Sequence, residues 1–445
     1  MLFQCDISNV LRCGVAVIGG GPAGCAAAVT AARAGAEVRI FEAESAFGGL
    51  GTLGGVPIFM NFGDREHFYA DGFGREIRDR HAAEGVIRRN PNCIHAERLK
   101  RIYDELLAAA GVKMQLLTTL IGVRRQDAGI TEAVLHTRGG LCAVAADVFI
   151  DATGNAALAA MAGGATVAGD ETGHFMPGTL CSGWSNIDWD AYEARPGDRL
   201  EQLAAADRDG VFRQTDWHHT GISPTGRTLG GGNMGHFFDY NPLDAQSLTA
   251  SLIEGRRQMV EFERFYRDYV PGFAGVELSF TAALPGVRVS RRTVGDYVLN
   301  FDDYRARRHF PDEIGCFHYA VDIHPPAANR EALEAFRRER AALRYASGES
   351  YGIPYRTLTV KGVDNLLAAG RCISTDSYMQ SSVRVMPGCY LTGQAAGLAA
   401  ALAAAGNGSV RAVNVARLCN ELRKIGAYLP EVCSDDRKSQ RTGSI

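Results

Sequence analysis

The stretch from Gly14 to Glu42, GVAVIGGGPAGCAAAVTAARAGAEVRIFE, restricts the fold more than any other part of the chain. Residues 14–18 are a short apolar, β-branched run that reads as a buried strand. A glycine turn follows at 19–24. The Ala-rich residues 25–35 then have high helix propensity and stop at Gly35. Residues 37–42 alternate and read as a second strand. Strand, turn, helix and strand within about thirty residues make one βαβ unit. Within it, Gly19 permits the tight turn, Gly21 lets the backbone approach a pyrophosphate, and Gly24 lets the helix pack close to the strand. Pro22 and Ala23 complete the expected phosphate-binding turn, where the helix start aims N–H groups and its positive dipole end at the phosphates. Glu42 follows Gly24 at close to the offset of a ribose-binding carboxylate, which accepts from ribose hydroxyls and repels a 2′-phosphate.

At 445 residues the chain is too long for one core, and two or three domains are expected. Residues 97–111 read as an amphipathic helix with Leu99, Ile102, Leu106 and Leu107 near one face, and a strand is expected at 112–117. Residues 119–150 read as a β-meander turning at QDAG and RGG. From 166 to 350 the texture changes to more aromatics, His and Arg, with a long helical pattern at 244–269. Residues 363–370 read as another short strand, and 388–405 as a helix apolar on several sides. The fold class expected is α/β: a Rossmann-type nucleotide-binding βαβ core with a β-meander and an inserted α+β substrate or cap domain. The boundaries are 1–165 for the first part of the nucleotide domain, 166–350 for the insertion, 351–410 for the second part, and 411–445 for a C-terminal helix and tail.

A net charge near −3 argues against a broadly basic surface for nucleic acid, and scattered Arg such as Arg288 and Arg291 read as solvated. No stretch reads as a membrane span or secretory leader, so a cytoplasmic protein is expected. Eleven cysteines without a CxxC pair fit free thiols and exclude a flavin–disulfide relay.

The run VAVIGGGPAGCAAAVTAARAGAEVRIFEAESAFGGLGT resembles the N-terminus of the flavoprotein superfamily that includes fumarate reductases and glutathione-reductase-like enzymes. Residues 352–397, 286–299 and 318–325 resemble the family called FAD-dependent oxidoreductases more closely, and together the matches touch most of the chain. The resemblance implies FAD as cofactor. It places Gly48, Gly49 and Thr52 near the flavin, and Thr153 and Gly154 at a strand end passing the cofactor. Gly370 and Arg371 fall on a late flavin-contacting strand, and Val385 at the helix facing the flavin's pyrimidine edge. By the same resemblance Cys372 and Cys389 neighbour the flavin, where a buried small hydrophobe is preferred to a redox thiol or attachment point.

Arg384, just before the long apolar helix, loosely resembles the substrate-holding Arg of fumarate reductases, and a guanidinium grips a carboxylate bidentately. His318, Asp322 and His324 in HYAVDIH share one face if the segment is a strand, and so form a candidate general-base cluster. One of Arg291 and Arg292 must face inward, toward Asp296, Asp322 or a phosphate. Trp217, His218 and His219 are candidates to line the substrate cavity. No metal site is expected, because no third segment shows ligand spacing. The function expected is hydride transfer between a small polar organic substrate and flavin N5, with an electron donor or acceptor left unidentified and homo-oligomerisation left open. An NAD-dependent dehydrogenase, or a non-redox flavin-binding or RNA-modifying protein, is the alternative.

Overall fold

The computed structural model describes residues 7, 9–218, 221–324 and 328–430. The opening unit is β1 (Val10–Ile18), α1 (Pro22–Arg33) and β2 (Val38–Phe41), with β1 and β2 parallel and Val15 opposite Val38. Val15, Ala16 and Val17 are all fully buried. Burial on both faces is why this strand reads as a continuous apolar run instead of an alternating one. The helix Ala96–Ala109 leads into β3 (Lys113–Gln115), which lies parallel to β2. The meander is β4 (Thr119–Gln126), β5 (Gly129–Thr137) and β6 (Gly140–Asp151), joined by the two expected turns.

β6 is the hinge of the topology. Its first residues pair antiparallel with β5, while most of its length runs parallel to β1, with Val17 opposite Ile150. The late strand Val363–Ala368 then docks parallel to the end of β6, with Leu367 opposite Ile150. The main sheet therefore runs Thr359–Val360, Val363–Ala368, β6, β1, β2, β3.

The long helix Met386–Ala404 lies against α1 at backbone distance. A Cβ added to Gly393 would sit 2.3 Å from the Ala23 carbonyl oxygen, and one on Gly397 would sit 2.2 Å from that of Ala27. Two glycines four residues apart thus face two alanines four residues apart, and only that pairing lets the helices meet so closely. The helix is buried on nearly every side, as its composition predicts.

A second core lies in the inserted region. Its antiparallel sheet runs Ile222–Pro224, Gly230–Gly232, Ser182–Ser185, Glu277–Thr281. The helix Ala245–Tyr269 starts at Asp244, whose carboxylate accepts from Ser247 N, and packs Phe262, Phe265 and Tyr266 with Trp184 and Phe273. This core draws on residues 184–276 and Leu333. Leu299, Tyr304, Ile314, Phe317 and Val321, inside the expected 166–350 insertion, are buried with the first core instead. Among the described residues, no helix is long and apolar enough to cross a membrane.

Gly397→Ala should therefore destabilise the fold by about 1–3 kcal/mol, the usual range for overpacking. Thermal unfolding should show the loss, whereas Gly406→Ala, whose nearest neighbour would be 3.4 Å away, should leave the midpoint nearly unchanged.

Candidate functional site

The three motif glycines have separable reasons. Gly19 has φ +100°, and a Cβ there would lie 2.5 Å from the Ala152 carbonyl oxygen; one on Gly24 would lie 1.9 Å from that of Gly19. Both serve packing. Gly21 has φ −68° and would meet nothing within 4 Å. It borders free space at the start of α1, where no side chain caps the helix and Pro22 opens it. Gly49 lies over this turn, 3.2 Å from the Gly21 Cα by its missing Cβ, and Gly48 N donates to the Gly20 carbonyl. Ala23 faces the long helix, and a Cβ on Gly370 would lie 2.7 Å from that of Ala23.

Glu42 closes β2 beside the turn. One carboxylate oxygen accepts from Gly20 N at 2.6 Å, the other from Glu44 N at 3.0 Å. Burial pushes its carboxyl up, and these two N–H groups pull it only part of the way back. Each oxygen keeps a lone pair, so the group still accepts from sugar hydroxyls. An uncapped helix start, open space over Gly21 and an acid at the strand end fit the expected dinucleotide.

Other expected contacts are spent inside the protein. The Thr52 hydroxyl donates to the Phe47 carbonyl at 2.7 Å, and that of Thr153 to Asp151 at 2.7 Å. Arg371 is a clamp: its guanidinium donates to the carbonyls of Gly154 and Val287, and a Cβ on Gly154, with φ +74°, would strike it. Arg292 is the inward member of its pair, but it donates to the carbonyls of Thr375 and Gly169 instead of meeting Asp296, which pairs with Arg411. Burial pushes the thiols of Cys372 and Cys389 up, the latter to about 12, which supports the inert reading of both.

A cavity opens where Val385 caps the start of the long helix. Leu50, Val56, Ile58 and Met60 give it an apolar lining; Arg288, Arg371, Arg384, Asp322, His324 and Asn233 bring polar atoms to it. Arg384 donates to the Asp322 main-chain oxygen at 3.1 Å and lies 3.3 Å from its carboxylate, while its Nε is buried without a partner. Arg340 reaches the other Asp322 oxygen at 3.1 Å. Burial alone would raise the Asp322 carboxyl, but His324, Arg384 and Arg340 outweigh it and hold the group far below its usual range. Arg288, expected on the surface, is buried. Burial first, then the charge of Arg384, brings it down to about 10.

His318 does not join this group. The strand Glu313–Phe317 ends one residue before it, so the alternation that would align it with Asp322 and His324 is lost. Its ring instead lies on Tyr69, with centroids 4.9 Å apart, and it does not line the cavity. Two residues absent from the sequence reading take its place. Asp216 Oδ2 lies 2.6 Å from His236 Nδ1, and His236 Nε2 lies 2.9 Å from His324 Nδ1. His218 stacks beside them, 5.3 Å from His236 and 4.7 Å from His324 between ring centroids. His219 lies outside the described residues. His236 had a local signal, GHF just after the glycine run Gly230–Gly232, but nothing in the sequence tied it to His324.

The family described as FAD dependent oxidoreductase matches residues 14–422. No curated protein matches the chain. Among solved structures it is similar to the flavin-dependent brominase Bmp2, at 12% identity over 93% of this chain and 84% of that one, with TM-score 0.48. It is also similar to the myxobacterial chondrochloren halogenase, at 13% identity over 93% and 79%, with TM-score 0.46. A third is a geranylgeranyl bacteriochlorophyll reductase-like protein from Thermoplasma acidophilum, at 12% identity over 94% and 83%, with TM-score 0.43.

Gly21→Ala separates fold from binding. With no neighbour to strike, it should change the stability of the nucleotide-free protein by less than about 0.5 kcal/mol. A methyl facing the pyrophosphate should weaken FAD binding at least about tenfold, or about 1.4 kcal/mol, as read by flavin fluorescence on titration.

Proposed function

The chain belongs to the family of FAD-dependent oxidoreductases, its cofactor is FAD, and from that premise we propose that it moves a hydride between a small polar organic substrate and the flavin N5 in the cavity at Arg384–Met386. Bound FAD supplies two-electron acceptor and donor chemistry; binding, orientation and proton handling fall to this chain. Pro22, Ala23 and the amides of the glycine turn would hold the diphosphate, and Glu42 the ribose.

The observation that carries the proposal is two guanidiniums, the buried Arg288 and the half-buried Arg384, on one cavity whose lining holds a single carboxylate, Asp322, which also meets Arg340. A buried cation with an unpartnered N–H is costly unless a ligand meets it. The pair is suited to the carboxylate or another anionic group of a substrate, which it would grip and orient. The start of the long helix adds its positive end at the same place, where it favours negative charge on a reacting partner.

Removing a hydride from a carbon that bears a hydroxyl or amine also requires that group to lose a proton. His324 lines the cavity, is hydrogen-bonded to His236, and stands beside Asp322, so this wall receives the proton. In the reverse direction the same wall returns it.

Anaerobic mixing of the holoenzyme with alcohols, amines and sugars, each with and without a carboxylate, tests the reading. Bleaching of the flavin absorbance by carboxylate-bearing members is expected. Arg384→Ala should lower kcat/KM by about 10–100-fold through the lost charged hydrogen bonds. If no compound bleaches the oxidised form or reoxidises the reduced one, the proposal falls.

A further inference from the structure

Three imidazoles that the sequence scatters over three segments meet in the wall between the cavity and the surface: His218, His236 and His324. One ring nitrogen of each lies within 4.8 Å of the other two. His236 and His324 are buried, and His218 is half-buried.

The Asp216 carboxylate fixes which His236 nitrogen is free. Asp216 Oδ2 faces His236 Nδ1 at 2.6 Å and also accepts that residue's main-chain N–H at 3.1 Å. The ring therefore carries its hydrogen on Nδ1 and a lone pair on Nε2. His324 Nδ1, when it carries that ring's hydrogen, donates to this lone pair at 2.9 Å. Asp322 Oδ2 stands 3.6 Å from His324 Nε2, beyond hydrogen-bond length. Moving the His324 hydrogen to Nε2 turns both lone pairs, His236 Nε2 and His324 Nδ1, toward one point between the rings. Beside it, His218 Nδ1 is buried with no hydrogen-bond partner.

We infer that His218, His236 and His324 bind one divalent first-row cation of the kind that prefers imidazole, such as Zn2+ or Fe2+. The cation replaces the His236–His324 hydrogen bond with two metal–nitrogen bonds and gives the orphaned His218 ring a partner. Asp216 and Asp322 then become the outer carboxylates that orient ligating imidazoles, each on the nitrogen away from the metal. Zinc–nitrogen bonds of about 2.0–2.1 Å at tetrahedral angles set ligand nitrogens roughly 3.3 Å apart, so the two closest rings need to separate by only a few tenths of an ångström. His218 also lines an outward-facing depression with Trp217, Phe336 and Arg340, which gives the ion a way in.

This rests on the proposed hydride transfer and deepens it: with the His324 lone pair held by the cation, the ion takes over from the free imidazole as a Lewis acid beside the cavity, stabilising a substrate oxygen that gives its proton to water. Arg288 and Arg384 on the same cavity favour an anionic or neutral oxygen as the cation's remaining partner.

The test uses untagged, FAD-loaded protein stripped with a chelator, then titrated with Co2+ by visible absorption and with Zn2+ by calorimetry. One ion per chain is expected, with Zn2+ raising the melting temperature. His236→Gln should weaken binding at least about 100-fold, and Asp216→Asn about 10–100-fold, with flavin content unchanged. His218→Gln, at the half-buried position, gives the same reading if His236→Gln does not fold. Absence of stoichiometric binding, or binding undiminished in both His variants, overturns the inference. Flavin bleaching that persists in such a metal-free protein shows that the site inference alone has failed and the hydride reading stands.

Discussion

The contact on which the rest depends is the backbone-close crossing of α1 with the helix Met386–Ala404. Ala23 and Ala27 face Gly393 and Gly397, and neither pair leaves room for one more carbon. This crossing joins residues more than 350 positions apart and fixes two helix starts relative to one sheet. One start holds the uncapped amides beside Gly21; the other, at Val385, faces the cavity. Gly370, wedged between Ala23 and Cys389, ties the late strand into the same place. The glycine turn at the start of α1 and the cavity at Val385 are thus parts of one packed interface.

Much of this was legible in the sequence because the signals are local. The glycine turn, the meander turns at QDAG and RGG, the helix ending near Tyr269 and the small-residue helix all follow from residues that touch neighbours in sequence. Gly19, Gly21 and Gly24 were readable as a motif, but the structure separates the two that serve packing from the one that borders open space.

What stayed hidden is what depends on convergence. Asp216, His236 and His324 come from three segments, and no periodicity links them. The one-face reading of HYAVDIH held only for a strand, yet the ladder ends at Phe317, so His318 packs on Tyr69 while Asp322 and His324 face the cavity. Arg288 read as surface because an isolated Arg usually is; only the fold shows that it is enclosed beside Arg384. Asp322 shows the same dependence, since its carboxylate state is set by His324, Arg384 and Arg340, which come from three different segments.

The Arg371 clamp has a mechanical consequence. Its enclosed guanidinium joins the end of β6, through the Gly154 carbonyl, to the chain leaving the insertion, through that of Val287. Rotating the insertion as a rigid flap would cost that charge its Val287 acceptor, at about 1.5–3 kcal/mol. The clamp thus opposes, by one charged hydrogen bond, any swing of the insertion away from the sheet.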